Sequence, residues 1–296
     1  MLTINPGNIS TSEFHSYLLG AVAPRPIAFA STMDKNGNIN LSPFSFFNVF
    51  GSNPPVLVFS PSRRVRDNTT KHSFDNVKEV PEVVINIVNF AIVEQMSLAS
   101  TEYDRGINEF EKSGLTQVPS EMIKPPRVKE APVAFECKVL NIIPVGEGGG
   151  AANLVICEVI LMHIHQAILD ENNKIDPQKL DAVARMGGDW YCRASGTSLF
   201  EIPKPIRNKG IGVDNIPSEI RNSSVLTGNN LGRLANIEIL PTKEEVAEYS
   251  NQPEIQEMKL RFKNDQESLI FHIHQFAKES LESGDIEKAW KILLQA

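Results

Sequence analysis

The chain has 296 residues, of which 41% are hydrophobic and 22% charged, with a formal net charge of -7 at pH 7. That balance suits a folded globular protein and excludes a strongly basic nucleic-acid or anionic-membrane surface. No apolar run approaches the roughly eighteen residues of a membrane span, and MLTINPGNISTSEF lacks the basic-then-apolar layout of a signal peptide, so a cytoplasmic location is expected, with no membrane or nucleic-acid partner.

The first element predicted in the chain is a strand over Pro24–Ser31. Its Ile27-Ala28-Phe29-Ala30 core is short, apolar and unpatterned, as in a strand buried on both faces or inside a barrel, and Pro24 and Pro26 withhold two backbone donors at its start. Asp34-Lys35-Asn36-Gly37 supplies hairpin turn chemistry, and the return strand is predicted at Ile39–Phe44. Ser42-Pro43-Phe44-Ser45-Phe46-Phe47-Asn48 then mixes small hydroxyls with three phenylalanines. Two readings are open: a hydrophobic strand whose hydroxyls cap a turn, or a cradle for a planar, polar-edged ligand.

Further strands are predicted at Val56–Ser60, Val83–Val88, Val133–Ile143 and Asn153–His165, with helices at about Thr69–Asn76 and Phe90–Ser100, a mainly β pattern with some α that suggests a barrel. After the third strand, Ser60-Pro61-Ser62-Arg63-Arg64-Val65-Arg66-Asp67-Asn68-Thr69-Thr70-Lys71-His72-Ser73 places three arginines, a lysine and several hydroxyls before a helix start. This is either an anion site or a solvated loop with helix-capping hydroxyls, and its proximity to the aromatic, hydroxyl-rich segment favours the former. Gly146-Glu147-Gly148-Gly149-Gly150 fits a flexible hairpin connection and matches no phosphate-loop pattern. In the strand after it, Val155, Cys157, Val159 and Leu161 share one face.

Beyond Pro203 strand character is lost, which divides the chain into 1–203 and 204–296. Residues 209–240, rich in Gly, Asn and Ser, are expected to wind over the surface or across a partner subunit without forming a second core. From Thr242 the pattern is helical, and Leu269, Ile273, Phe276 and Ala277, followed by Ile286, Ala289, Trp290, Leu293 and Leu294, form the stripes of a helical hairpin broken at Ser283-Gly284-Asp285. A single hairpin cannot bury its own face, so docking on the barrel or on a second subunit is expected.

No Gly-x-Ser-x-Gly elbow, HExxH helix or catalytic triad stands out, so no side-chain nucleophile is assigned. His163 and His165 share a strand face without a third ligand at matching spacing, and His272 and His274 fall on different faces of a predicted helix, so neither pair is assigned a metal. Cys137, Cys157 and Cys192 are far apart with no CxxC spacing, consistent with free or buried thiols.

Taken together, PRPIAFAST, NINLSPFSFFN, NPPVLVFS and KHSFDNVKEVPEVVINIV, followed by Asn108-Glu109-Phe110, Pro125-Pro126-Arg127-Val128, Ala134-Phe135-Glu136-Cys137 and Arg185-Met186-Gly187-Gly188, resemble the flavin reductase-like family over about residues 10–203. The resemblance, nearest the flavoredoxin-like branch, implies an FMN-binding split β-barrel with a C-terminal helical extension. It puts the flavin ring against Arg25, Pro26 and Ile27 and against Ser42, Pro43, Phe44, Ser45, Phe46 and Asn48, with Ser45 and nearby backbone N–H groups at the ring's polar edge. A family Lys-Asp-Thr triplet near the FMN phosphate aligns with Lys71, His72 and Ser73; histidine replaces the aspartate, which makes mildly pH-dependent phosphate affinity an expectation. Ser60, Arg63 and Arg66 are further phosphate-side candidates. The implied activity is an NAD(P)H-dependent flavin reductase in which NADH or NADPH delivers hydride to flavin N5, as a homodimer, with a monooxygenase or an electron-transfer protein as a further partner. The alternatives are a flavoredoxin-like electron carrier and a non-catalytic flavin-binding or assembly module.

Overall fold

The computed structural model describes residues 1–205 and 209–296, so positions 206–208 of the expected C-terminal extension lie outside the described residues. The chain divides into two compact units, Met1–Phe200 and Glu201–Ala296.

In the first unit a helix, α1 (Thr11–Ala21), is followed by strands β1 (Ala28–Met33), β2 (Ile39–Phe44), β3 (Phe47–Ser52) and β4 (Pro55–Phe59). Helix α2 (His72–Glu79), strand β5 (Glu82–Ile87) and helices α3 (Val93–Leu98) and α4 (Glu109–Ser113) come next. The two-residue strands β6 (Gln117–Val118) and β7 (Arg127–Val128) pair, and a long hairpin is built from β8 (Val133–Val145) and β9 (Ala152–Ile164). Helix α5 (Pro177–Leu180) and the hairpin β10 (Val183–Arg185) with β11 (Tyr191–Arg193) complete the unit. The β1–β2 turn forms as its residues predict: Gly37 has φ +88° and the Asp34 carboxylate accepts the N–H groups of Asn36 and Asn38, both at 2.9 Å.

Seven antiparallel strands run in the order β2-β1-β5-β8-β9-β4-β3. The two strands at the ends of that order, β2 and β3, are consecutive in sequence and are joined only by Ser45 and Phe46. Three chain steps reach at most about 11 Å, so the sheet must curl until its edges approach at this bend. The result is a split barrel whose split lies at the aromatic, hydroxyl-rich segment. Ala28, Ala30, Phe44, Leu57, Phe59, Ile85, Cys137, Val155 and Cys157 fill one core. Alternation through β1 turns Phe29, together with Ile27 just before the strand, into a second core with Leu41, Ile92, Met96 and Phe110, so this strand is buried on both faces.

Several boundaries differ from expectation. The first strand starts at Ala28, and Arg25 forms only an isolated bridge with Arg185, since Pro24 and Pro26 cannot donate to a ladder. Helix α2 begins at His72, three residues later than predicted, and Phe90–Ile92 is a 3₁₀ turn ahead of α3. Helix α1 and strand β3 were not foreseen: α1 buries no residue completely and β3 is mostly exposed, so neither carries a strong hydrophobic period.

The second unit corrects the expectation for residues 209–240. Ile216, Ile220, Leu226 and Leu234, from the segment holding α6 (Ser218–Arg221) and α7 (Gly228–Leu234), are buried in one core. With them pack Ile255 of α9 (Pro253–Arg261), Leu269, Ile273, Ala277 and Leu281 of α10 (Gln266–Glu282), and Ala289, Trp290, Ile292 and Leu293 of α11 (Ile286–Leu293). Helix α8 (Lys243–Tyr249) contributes Tyr249 at the margin and is capped by Thr242 in a capping box with Glu245. The predicted helical hairpin is α10 and α11, and its apolar face is covered by its own unit. Gly- and Asn-rich composition hid this, because α7 itself carries Gly228, Asn229, Asn230 and Gly232, poor helix formers, while a sparse set of aliphatic residues forms the core.

His274 of α10 lies in that core, 2% exposed, with Nδ1 2.7 Å from the Ser223 hydroxyl and Nε2 without a hydrogen-bond partner among the described residues. Burial lowers its pKa from the ordinary 6.5. The folded unit therefore binds this proton less readily than the unfolded chain. The contribution is complete above about pH 6.5 and is lost progressively as pH falls below it. The denaturation midpoint of the second unit is expected to drop on acidification from about pH 7.5 to about pH 5, and this drop should shrink in His274→Gln. An equal drop in both proteins would assign it to other groups.

Candidate functional site

At the barrel's split, the Ser45–Phe46 bend is tied down from both sides. Ser60 donates its backbone N–H to the Phe46 carbonyl at 2.9 Å, and its hydroxyl accepts the Asn153 N–H at 3.1 Å. Arg25 is buried, and its guanidinium donates to the carbonyls of Leu19 (2.6 Å), Val22 and Met186 (2.8 Å), with Nε 3.4 Å from the Ser45 hydroxyl. Arg25 thus joins the end of α1, the β10 strand exit and the bend. Burial and, second, the neighbouring Arg185 cation lower its pKa from the ordinary arginine value.

These placements revise the expected ring contacts. The Ile27 and Phe44 side chains belong to the two cores, where Phe44 packs on Phe59 at 5.5 Å between ring centroids. The hydroxyl of Ser60 and the guanidinium of Arg25 are spent on internal bonds. Phe46 is 40% exposed and meets His15 of α1 edge-on at 6.1 Å, while Pro26 and Asn48 are exposed, Asn48 accepting the Val49 N–H at 2.8 Å. Ser42, Pro43 and Ser45 are half-buried around the bend. Of the three phenylalanines, only Phe46 offers an accessible face, since Phe47 also packs on the core.

The basic loop is folded against the β8–β9 turn. Arg63 exchanges backbone hydrogen bonds with that turn, donating to Ala151 (2.9 Å) and accepting from Gly150 (3.1 Å), and Asn68 donates its side-chain amide to Glu147 at 3.0 Å. A Cβ at Gly149 would lie 2.7 Å from the Val65 carbonyl, so the glycine run both turns the hairpin and admits the loop. The Arg63 guanidinium bonds Asn68, through Oδ1 at 2.5 Å and the carbonyl at 2.6 Å, and so braces its own loop. Arg63, expected as a phosphate ligand, has two of its guanidinium nitrogens engaged within the loop.

Next to it a cleft brings together Asn40, Ser42, Arg64, Lys71, His72, Ser100, Thr101, Glu102, Tyr103 and Glu109. Arg64 donates to the Thr69 hydroxyl (2.8 Å), the Thr70 carbonyl (2.6 Å) and Glu102 (2.8 Å). Lys71 is the N-cap of α2 and makes no side-chain cap bond, so the helix opens toward the cleft beside a lysine ammonium. Ser73 points elsewhere: its side chain is buried, and its hydroxyl donates to Asn40 Oδ1 at 2.5 Å. Asn40 in turn donates to Glu109 at 2.6 Å, and Glu109 also accepts the Leu41 N–H at 2.9 Å. Burial pushes the Glu109 pKa up, against those hydrogen bonds. The chain Ser73–Asn40–Glu109 locks the start of α2 onto β2 and α4, which is what fixes Lys71 and the helix N–H groups in place.

Burial, together with the Arg64 and Arg105 cations, lowers the His72 pKa from 6.5, so the imidazole is neutral at pH 7 and any pH-dependence it confers lies on the acid side. Arg66, 70% exposed, reaches Asp67 at 3.1 Å and also bonds Glu102. Arg64, Asn40, Glu102 and Glu109 were absent from the sequence-derived set. Alternation along β2 places Asn40 and Ser42 on one face and so held a signal for Asn40, whereas nothing local in the sequence marks Glu102. The cleft offers fixed positive charge and helix N–H donors beside hydroxyls at the split, a donor set that fits a phosphate next to a polar-edged ring.

The histidine pairs have other roles. His163 Nε2 is 2.8 Å from the buried Glu136 carboxylate, which also accepts the N–H groups of Glu121 and Met122. His165 Nδ1 accepts the Ala167 N–H at 3.2 Å, and His272 stacks on Phe262 at 4.3 Å.

Comparison with known proteins places residues 20–177 within the family described as "Flavin reductase like domain". An uncharacterized protein of Aquifex aeolicus is 41% identical over 188 residues, which span 64% of this chain and 93% of that relative. Among solved structures, nitrilotriacetate monooxygenase component B from Bacillus cereus is 30% identical with a TM-score of 0.63, over 68% of this chain and 98% of that one. A Shewanella frigidimarina protein assigned as a flavin reductase with a split barrel domain is 25% identical with a TM-score of 0.58, over 69% of this chain and 100% of that one.

Proposed function

The chain belongs to the flavin reductase-like family, and on that premise we propose that it is an FMN-binding oxidoreductase that uses NADH or NADPH to reduce flavin. The observation that carries this reading is the convergence of Arg64, Lys71 and the uncapped start of α2 in one cleft with Ser42, beside the bend at the barrel's split. Bound there, FMN would supply the redox chemistry, accepting hydride at N5 from the reduced nicotinamide. Arg64, Lys71 and the first N–H groups of α2 bind the phosphate. Ser42, Ser45 and the backbone of the bend meet the polar edge of the ring, where donors stabilise negative charge, and the open face of Phe46 limits water on one side. Arg25, Ser60 and the Ser73–Asn40–Glu109 chain act at one remove, positioning the bend and the helix start.

A second copy of the chain is the proposed partner at the sheet edge. Strand β3 ends the sheet and exposes Val49 (63%) and Phe50 (70%), an apolar edge that a homodimer would cover. Sedimentation equilibrium should return about twice the 32.8 kDa chain mass, and a mass of one chain at micromolar concentration would rule the dimer out. Passing reduced flavin to a monooxygenase extends the same reading, supported by the likeness to a monooxygenase component B. Binding is tested by titrating FMN into the purified protein and following flavin fluorescence; saturable quenching is expected, and no interaction at about 100 μM FMN would overturn the proposal.

A further inference from the structure

The two cations of the proposed phosphate site, Arg64 and Lys71, and the neighbouring Arg66 converge on one carboxylate of the chain itself. Glu102 accepts from Arg64 Nε at 2.8 Å and from the Arg66 guanidinium, and lies 3.4 Å from the Lys71 ammonium. It stands on the segment between α3 and α4, and its side chain is 36% exposed, so it can swing out without opening either core. The hydrogen bond from Arg64, then that from Arg66, hold its pKa at about 2, so it remains an anion throughout the range in which the protein would be studied.

We propose that Glu102 is a built-in competitor for the flavin phosphate, which makes FMN an exchangeable substrate of this protein and not a permanently held group. The inference rests on the reading of this cleft as the phosphate site. Arg64, Arg66 and Lys71 cannot neutralise Glu102 and a phosphate at once with the same donors. A phosphate dianion, with greater charge and three acceptor oxygens, can displace one carboxylate; riboflavin has no charge with which to do so. Each binding event therefore gives up the Glu102 ion pairs, and each release recovers them. The result is selection for the phosphorylated flavin together with a lowered net affinity for it.

The test is Glu102→Gln, with Lys71→Ala as the companion variant, each titrated with FMN and riboflavin and followed by flavin fluorescence. Glu102→Gln is expected to tighten FMN by about tenfold or more and slow its dissociation, while riboflavin changes by less than about twofold. Unchanged or weaker FMN binding in Glu102→Gln, with Lys71→Ala still hurting FMN selectively, would overturn the competitor and leave the phosphate site standing. If Lys71→Ala weakens FMN and riboflavin alike, the phosphate reading and the competitor fall together.

Discussion

Replacing Lys71 by alanine is expected to raise the Kd for FMN by about 10- to 100-fold and to leave riboflavin within about threefold, because a charge-assisted contact to phosphate is worth about 1.5–3 kcal/mol and riboflavin lacks the group that makes it. The fold should tolerate the change. Lys71 sits at the cap position of α2, its side chain 32% exposed, while the helix is anchored by Phe74 and Val77 in the core and by the Ser73–Asn40–Glu109 chain. Lysine offers a mobile point charge, so its loss should act on the phosphate alone and not on ring geometry. The ratio of the two affinities is the informative quantity, because Lys71 also pairs with Glu102 and its removal alters the free protein that both ligands meet. Equal weakening of FMN and riboflavin would remove Lys71 from the phosphate site.

The second large effect is on stability. Trp290 is fully buried at the centre of the second unit, and its indole Nε1 donates to the Leu234 carbonyl at 3.1 Å, linking α11 to α7. Trp290→Ala creates a large cavity and leaves that carbonyl without its partner, a loss of about 3–5 kcal/mol. Since small domains are stable by only about 5–15 kcal/mol, a substantial share of the unit's margin would go. Amide exchange in peptides from α10 and α11 should accelerate at least about a hundredfold, whereas Trp290→Phe, which keeps most of the ring volume, should fall well short of that. Unchanged exchange in Trp290→Ala would contradict a core organised around this residue.

The barrel was legible because its strands carry strong local signals. Unbroken apolar runs such as Ile27–Ala30, the Asp34–Gly37 turn and the alternation through Val155 and Cys157 each act at short range, and their strand boundaries fall within two residues of expectation except at Pro24–Ala28. Strand β3 was illegible because it is an exposed edge, where packing imposes no pattern on Phe47–Ser52. The core of the second unit was illegible for a different reason: Ile216, Ile220, Leu226 and Leu234 are too widely spaced to make one periodic stripe and meet only through tertiary folding.

The site divides in the same way. The sequence marked a candidate segment but could not say which side chain of each pair faces the cleft. Arg63 and Arg64 are neighbours with opposite assignments, one bracing Asn68 and the other lining the cleft beside Lys71. Phe44 and Phe46 are likewise two residues apart, yet the bend after Phe44 sends one into the core and the other outward. Lys71 lines the cleft, whereas Ser73, two residues on, is turned inward onto Asn40. Glu102 enters from a segment about thirty residues downstream of Lys71, a juxtaposition that only the fold creates.

The central claim, a nicotinamide-dependent flavin reductase, is tested most directly by mixing the FMN-loaded protein with NADH and, separately, with NADPH in the absence of oxygen while following the oxidised-flavin band near about 450 nm. Bleaching of that band by at least one of the two nucleotides, at a rate well above that of free FMN, is the expected result. No bleaching by either, from protein that demonstrably holds FMN, would contradict the reductase and leave a flavin carrier or binding module in its place.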